Sequence, residues 1–265
     1  MSLCEVFSRE TPVFFLKKRY IAIVKHCHFR KQVHLCFCLS LAILPLLSCA
    51  ARISGPLAAD GSAAVSVNVS LEPRMAALIS RLSSAAGGQA SGKILDGPAI
   101  ARSMSAAPGV ASVSFANTAP AAIEGPVRIS RVGDFLAAGN RAAFITFTQG
   151  SSGGRCVITI SRETSPEILS LFSSDIVGYL EALMAPLATG EKITKSEYLS
   201  LVTSVYNKPI SDEISGSRIH ASIDFPGPVT SVKGGTFSGR RAVFDIPLLD
   251  LLVLETPLSY EAAWN

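Results

Sequence analysis

Charged residues are scarce in this chain of 265 residues: Asp, Glu, Lys and Arg make up 17% of it, and the mean hydropathy is +0.39. This composition excludes intrinsic disorder and coiled coil for the bulk of the chain, because both need a more polar sequence. Basic residues are also scarce beyond the N-terminal part. Residues 1–48 hold seven Lys/Arg and two acids, which leaves 17 basic and 18 acidic residues in the remainder. That remainder lacks the basic surface of a nucleic-acid-binding protein, so we expect no nucleic-acid partner.

The N-terminal apolar run is too short for a membrane-spanning helix. It covers residues 33–47, 15 positions in all, and is interrupted by Pro45, whereas a transmembrane helix needs about 20 apolar residues. Arg30 and Lys31 stand just before it. A basic segment followed by an apolar stretch of this length is typical of a secretory signal. We therefore predict that residues 1–48 are a signal peptide that the mature protein lacks.

The apolar run ends in LLSC at positions 46–49, which resembles the lipobox of bacterial lipoproteins. The resemblance implies cleavage before Cys49 and acylation of its thiol, for example with palmitate. It also implies a mature protein anchored by this lipid in a membrane of the cell envelope, facing the periplasm or the cell exterior. The alternative is an ordinary signal peptide cut near Ala50. About thirty residues precede the basic and apolar unit, which is long for a signal peptide and favours a translation start near Val24.

Cysteine and histidine are nearly absent once the leader is removed. Cys49, Cys156 and His220 remain, so the mature chain has no disulfide framework and no cluster of metal ligands. Cys156 lies in the apolar pattern RCVITIS, which favours a small core side chain over a nucleophile. We predict no metal and no cofactor.

Two motifs with catalytic chemistry are incomplete. Residues 87–93 have the spacing GxxxxGK of a phosphate-binding loop, but Ile94 stands where that loop needs Ser or Thr. A Ser-His-Asp hydrolase would have to use His220, which lies about 13 Å along one predicted strand from Asp224 and so cannot contact it directly. Alternation over 218–225 predicts instead a strand with a solvated polar face and an apolar face. We predict that the chain is not an enzyme.

The mature chain is predicted to form one α+β domain after a short tether. Residues 49–63 are small, contain Gly and Pro and show no periodicity, which is typical of a flexible tether. Residues 64–265 contain the domain, a mostly antiparallel sheet with a central helical pair packed on it. Regular alternation of strands and helices is missing, which excludes a doubly wound fold.

Local patterns predict the elements of this domain. Period-two alternation and turn residues predict strands at 64–71, 110–115, 122–130, 142–148, 155–161, 218–225, 229–233, 241–246 and 258–264. Caps and helical spacing predict helices at 73–84, 98–105, 166–187 and 194–206.

Two apolar segments form the candidate binding site. Six of the seven residues at 248–254 are Leu or Val. A buried strand or helical turn would explain this stretch, and so would an apolar lip for a lipid chain. The predicted helix 166–187 is either the opposite wall or simply the helix that packs on the sheet. The candidate ligand-binding residues are Phe172, Ile176, Leu180, Leu249 and Leu252.

Residues 225–264 resemble the end of a family of bacterial lipoproteins. A Pro-Gly pair at 226–227 precedes a short strand, a Gly-Gly turn follows at 234–235, and the segment ends in Trp264. These elements resemble uncharacterised lipoproteins, especially spirochaetal ones, and more distantly the LppM-like domain of a mycobacterial lipoprotein. The resemblance rests on turn glycines and apolar strands, so it implies a fold more than an activity. It also implies binding of lipid or glycolipid, with which LppM-like domains are associated.

Together these features predict a lipid-anchored envelope protein, held to a membrane at Cys49, that binds an apolar ligand such as a lipid or glycolipid. The alternative is a structural lipoprotein whose sheet face contacts another envelope protein. An apolar cavity would favour the first prediction, and a solidly packed interior would remove it.

Overall fold

Two β-sheets make up most of the domain. A computed structural model describes residues 49–85, 94–138, 143–170 and 174–265, and the predicted signal peptide lies outside them. The strands are Cys49–Pro56 (β1), Ala63–Ser70 (β2), Val110–Val113 (β3), Ala116–Ala119 (β4), Ala122–Ile129 (β5), Ile145–Gly150 (β6), Gly153–Ile160 (β7), Arg218–Asp224 (β8), Val229–Lys233 (β9), Thr236–Ser238 (β10), Arg241–Pro247 (β11) and Leu258–Trp264 (β12).

The sheets are mostly antiparallel, as predicted. The larger one has the strand order β10-β11-β8-β1-β2-β5-β3, with β4 also paired to β5, and the smaller one has the order β6-β7-β12-β9. β1 and β8 run parallel, and the other pairings of the described strands are antiparallel. On β2, Val65, Val67 and Val69 are half-buried while Ser66 and Asn68 are exposed, so one face of the strand packs inward.

The stretch predicted to be a tether contains a central strand of the larger sheet. Residues 49–56 form β1, which lies between β2 and β8. Ile53 of this strand is opposite Val67 on one side and Ala221 on the other. Small residues on both faces of β1 hide the alternation that normally reveals a strand. The prediction of an aperiodic tether over 49–63 is corrected accordingly.

Helices lie between β2 and β3 and between β7 and β8, with a short helix after β5 and another after β11. None of the helices in the described ranges is long and apolar enough to cross a membrane. They are Pro73–Ala85 (α1), Gly97–Ser105 (α2), Val132–Ala137 (α3), Ser165–Leu169 (α4), Ser174–Ala182 (α5), Pro186–Thr189 (α6), Lys195–Val205 (α7), Lys208–Gly216 (α8) and Leu248–Val253 (α9), and a 3-10 turn spans Arg162–Thr164.

The single helix predicted over 166–187 is wrong, because this region forms the shorter helices α4, α5 and α6. Met184 has a left-handed backbone with φ of 53°, and Ala185 is extended with ψ of 123°. Pro186 then opens α6. A proline has no N–H to continue a helix and pushes the preceding residue out of the helical region, which explains the break.

The helices α7 and α8 begin with side-chain caps. The hydroxyl of Thr194 accepts a hydrogen bond from the backbone N–H of Glu197 at 3.2 Å, and the Glu197 carboxylate accepts one from the N–H of Thr194 at 2.7 Å. This is the capping box expected from the sequence. The helix α8 was not predicted; Asn207 caps it by accepting a bond from the N–H of Ile210 at 3.1 Å.

The predicted α+β class is confirmed by these sheets and helices. Three hydrophobic clusters of described residues stabilise the domain. The helices pack mainly against one another in a first cluster, the two sheets meet at a second, and α2 packs on β5 in a third. The helical cluster contains Met75, Ile79, Tyr198, Val202, Ile214, Leu252 and Val253. The inter-sheet cluster contains Leu57, Phe225, Val229, Ala242, Ala262 and Trp264.

Candidate functional site

An apolar cavity of about 360 Å³, partly open to solvent, lies between the two sheets. One wall comes from the larger sheet, through β1, β2, β8 and β11, and the other from the smaller sheet, through β6, β7 and β12. The lining includes Ile53, Val65, Ala221, Ile223, Phe244 and Ile246 on the larger sheet and Phe147, Cys156, Ile158, Ile160, Tyr260 and Ala262 on the smaller sheet. A void of this size is far larger than the roughly 10–15 Å³ that one water molecule needs.

Strand alternation places these side chains in the cavity. On β8, Ala221 and Ile223 line the cavity. His220 and Ser222, which alternate with them along the strand, therefore face the opposite side of the sheet. The apolar face predicted for residues 218–225 is therefore one of the walls, and the polar face lies away from the cavity.

The smaller sheet shows the same alternation in a matching register. Cys156 and Ile158 on β7 line the cavity, and their partners on β12 are Ala262 and Tyr260, which line it as well. Inward-facing positions on neighbouring strands thus form continuous rows across the sheet. Regular antiparallel pairing of β7 and β12 is therefore enough to form this wall of the cavity.

Three aromatic rings pack beside the cavity. The rings of Phe225 and Trp264 are stacked with centroids 4.6 Å apart, and Phe147 lies 6.1 Å from the same indole. Gly154 permits this arrangement, because a Cβ atom at that position would lie 2.2 Å from Cζ2 of Trp264. Phe147 and Phe225 belong to the lining, so this aromatic cluster forms part of the cavity wall.

The helix α3 supplies a third side of the cavity. Val132 and Leu136 on successive turns are part of the lining. The N–H of Val132 donates a hydrogen bond of 2.9 Å to the carbonyl of Gly61 in the loop between β1 and β2. The helix is therefore fixed to the larger sheet while its apolar side closes over the space between the sheets.

The charged group nearest the cavity is neutralised on the outer face of the smaller sheet. Glu261 contributes to the lining, but it alternates with Tyr260 and Ala262, so its side chain is directed to the other face. Its carboxylate binds the Arg155 guanidinium through two contacts of 2.8 and 3.0 Å. Hydrogen bonding from Arg155 lowers the pKa of Glu261. The described lining thus offers no unpaired charge to a ligand.

Two side chains in the lining have raised pKa values because they are buried. Burial raises the pKa of the Cys156 thiol to about 11, so the thiol is protonated near neutral pH. Burial is also the main cause of the raised pKa of Tyr260, whose ring meets that of Phe244 edge-on at 6.0 Å. Both groups present neutral surfaces to the cavity.

His220 pairs with a carboxylate outside the cavity. Its Nδ1 atom lies 2.8 Å from Oδ1 of Asp245 on β11, whereas Asp224 binds Arg241 through contacts of 2.8 and 2.9 Å. This confirms that His220 and Asp224 are not partners. The described residues contain no group of three or more potential metal ligands.

The candidate residues named from the sequence lie elsewhere. Leu252 is buried in the helical cluster, and Leu180 and Leu249 pack against that cluster. Ile176 is half-buried on α5, and Phe172 lies outside the described residues. None of the four described residues belongs to the lining of the inter-sheet cavity, so their binding role stays a prediction separate from it.

The sequence predicted strands that form the walls of the cavity but did not predict the cavity between them. Strands were predicted at 155–161 and 218–225, the second with one apolar face, and both are confirmed. Each of them turns apolar side chains to the cavity. Nothing local indicates that these faces lie opposite each other, since they belong to different sheets. The run at 248–254 is more apolar and attracted the prediction, but it forms α9 in the helical cluster.

Comparison with known proteins gives one weak likeness of fold. The folded domain of LppM from Mycobacterium tuberculosis, solved by NMR, matches 82% of this chain and 91% of its own length, with a TM-score of 0.36 and 10% sequence identity. No protein-family model matches the chain, and no curated protein does. This match is to the mycobacterial domain named in the predicted resemblance, and no spirochaetal lipoprotein matches.

Proposed function

We propose that this chain is a lipid-anchored protein of a bacterial cell envelope that binds an apolar ligand, such as a lipid or glycolipid, between its two sheets. The observation that carries the proposal is the cavity of about 360 Å³ with its almost wholly apolar lining. Its volume is within the range of roughly 300–1,000 Å³ typical of small-molecule sites. Water gains few hydrogen bonds in such a space, which favours an apolar occupant.

The lining favours a hydrocarbon chain over a charged group. Each methylene moved from water into the cavity contributes about 0.8 kcal/mol, while a charged headgroup would lose its hydration without gaining a partner. We therefore expect an acyl or similar chain inside the cavity and any polar headgroup outside it.

The chemistry of the lining supports binding without catalysis. Cys156 is protonated near neutral pH because burial raises its pKa to about 11, and the thiolate is the reactive form of cysteine. The pair of His220 and Asp245 is on the face of the larger sheet that is turned away from the cavity. A ligand in the cavity would meet neither a nucleophile nor a general base.

Anchoring at Cys49 is the second part of the proposal. It is supported by the basic and apolar leader and by the sequence LLSC at 46–49. Because β1 begins at Cys49, a lipid on this residue would attach at the end of a central strand, with no spacer between membrane and domain. We expect the domain to lie directly on the membrane surface.

Mass spectrometry of the native protein tests the anchor. The detergent-extracted protein should have the mass of residues 49–265 plus acyl chains, and the Cys49→Ala variant should lack that modified form. An unmodified mass that begins at another residue would contradict the lipid anchor.

A cavity-filling variant tests the ligand site. Mild organic extraction of the purified protein should release a bound lipid, and Ala221→Phe should abolish this lipid because the new ring occupies the cavity. Leu249→Ala, in the helical cluster, is the matched control and should retain the lipid. Lipid loss in Leu249→Ala but not in Ala221→Phe would instead place the ligand among the helices. Circular dichroism checks that both variants are folded.

A further inference from the structure

An exposed basic segment lies at the edge of the larger sheet. It spans residues 233–241 and contains β10, which pairs with β11 and has no second strand partner among the described residues. All nine of its residues are exposed. We call it the basic edge segment.

The basic edge segment combines one aromatic side chain with positive charge. Phe237 at its centre is 47% exposed and, with Val205, is one of two large apolar side chains exposed in the described part of the chain. Lys233, Arg240 and Arg241 surround it, and residues 226–241 contain no acid. An exposed aromatic ring among cations is the composition that binds the interface of an anionic membrane.

The segment is seated firmly on the wall of the cavity. A Cβ atom at Gly235 would lie 2.7 Å from Cδ1 of Phe244, and one at Gly234 would lie 2.7 Å from Cδ1 of Tyr260. Both rings belong to the cavity lining. Phe237, two positions beyond this turn, is therefore held beside the cavity by direct packing of the backbone.

Ion pairing leaves the segment with surplus positive charge. Asp224 neutralises Arg241 through contacts of 2.8 and 2.9 Å. Lys233 faces Glu261 across the paired strands, but that carboxylate already binds Arg155 at 2.8 Å. The guanidinium of Arg240 donates to the carbonyl of Phe225 at 2.9 Å, and the acid that attracts it, Asp224, is already bound to Arg241.

We propose that the basic edge segment docks on an anionic lipid surface, with Phe237 inserted at the interface and the cations beside the lipid phosphates. A strand from another protein is the less suitable partner, because β10 has three residues and cations at a sheet edge oppose strand addition. The proposal stands independently of any ligand in the cavity, and it would place the cavity next to a source of lipid.

Tryptophan fluorescence of the full chain tests the docking. Trp264, the one native tryptophan, is 3% exposed, and the unsubstituted protein on the same vesicles measures its background. Phe237→Trp should shift its emission to the blue on vesicles of phosphatidylcholine with phosphatidylglycerol, and brominated acyl chains should quench it. Vesicles of phosphatidylcholine alone should give a smaller shift, and salt should weaken the response through charge screening.

Val205→Trp, at a similarly exposed position on α7, is the matched control and should not respond. Equal responses of Val205→Trp and Phe237→Trp, or none from Phe237→Trp, would overturn the proposal. A shift that grows with protein concentration without vesicles would also overturn it, and would assign the edge to contacts between copies.

A charge variant tests the electrostatic part. Lys233→Gln, made in the Phe237→Trp background, should reduce the response to phosphatidylglycerol, whereas Lys208→Gln on α8 should not. Unchanged responses in both would refute a role for the cations. The vesicle experiments test docking of the basic edge segment, and the lipid extraction tests binding in the cavity. Each proposal can therefore fail while the other holds.

Discussion

At the scale of single residues, Cys156 reports on the cavity. Burial raises the pKa of its thiol to about 11, above the usual value of about 8.5 for a free cysteine. We expect its alkylation rate to rise about tenfold per pH unit up to roughly pH 11, provided that the protein stays folded. Peptide mapping after iodoacetamide treatment measures this for Cys156 alone. A plateau near pH 8.5 would contradict the burial of the thiol.

A ligand in the cavity should protect the same thiol. Cys156 belongs to the cavity lining, so a bound lipid covers the sulfur and slows its alkylation at any fixed pH. Protein stripped of lipid by organic extraction and refolded should react faster than the native form. Equal rates would indicate that the ligand does not reach β7.

The ion pair of Glu261 with Arg155 makes stability depend on pH. Hydrogen bonding from Arg155 lowers the pKa of Glu261 below its ordinary value of 4.5. A carboxyl with a lowered pKa in the folded state stabilises the protein above its unfolded pKa, and this contribution is lost as the pH falls through the folded pKa. Glu261→Gln should therefore reduce the free energy of unfolding at pH 7 and reduce it less at pH 3.

Urea unfolding of both proteins at the two pH values measures this difference. Glu191→Gln, on an exposed residue between α6 and α7, is the control and should have little effect at either pH. A destabilisation by Glu261→Gln that is as large at pH 3 as at pH 7 would show that packing, and not charge, is responsible.

At the scale of elements, Gly154 at the start of β7 allows this strand to pack closely against Trp264 of β12. A Cβ atom at Gly154 would lie 2.2 Å from the Trp264 indole and 2.7 Å from the carbonyl oxygen of Thr148, whereas one at Gly150 would meet nothing within 4 Å. Gly154→Ala should destabilise the protein by about 1–3 kcal/mol, the usual cost of overpacking. Gly150→Ala should stay within about 0.5 kcal/mol of the parent. Thermal unfolding of the two variants measures the contrast, and equal stabilities would contradict the close packing at Trp264.

Element prediction from the sequence succeeded where the local signal was strong. The alternation of Val65, Val67 and Val69 identified β2, and the capping box at Thr194 identified α7. It failed for β1, whose small residues show no alternation and whose identity as a strand depends on pairing with distant β8. It also failed at 166–187, where apolar spacing continues past the point at which Pro186 breaks the helix.

At the scale of the whole molecule, the candidate site depends on contacts that no local pattern contains. The lining extends from Ile53 on β1 to Ala262 on β12, so the cavity exists only when two sheets come together. Sequence composition and the leader predicted an envelope protein with an apolar ligand, but the most apolar stretch, 248–254, forms a packed helix instead of a cavity wall. An underfilled space between sheets has no signature in a sequence, because the same apolar faces would form a solid core if they met more closely.

A cavity and a solid core respond differently to a larger side chain. We therefore expect opposite changes in the free energy of unfolding when two alanines on neighbouring strands of the larger sheet are enlarged. Ala221 lines the cavity, and Ala242 is 0% exposed in the inter-sheet cluster. Ala221→Leu adds three carbon atoms to empty space, so it should raise the free energy of unfolding of the lipid-free protein by about 1–2 kcal/mol. Ala242→Leu should lower it by about 1–3 kcal/mol through overpacking.

Denaturant unfolding of the lipid-free proteins measures both effects. Ala221→Leu should also lose part of its affinity for lipid, because the added side chain takes the place of the ligand. A protein that keeps an apolar cavity sacrifices stability for binding, as functional sites often do. Destabilisation by both leucines to the same extent would mean that the sheets are fully packed in solution, and the proposed binding site would then be lost with the cavity.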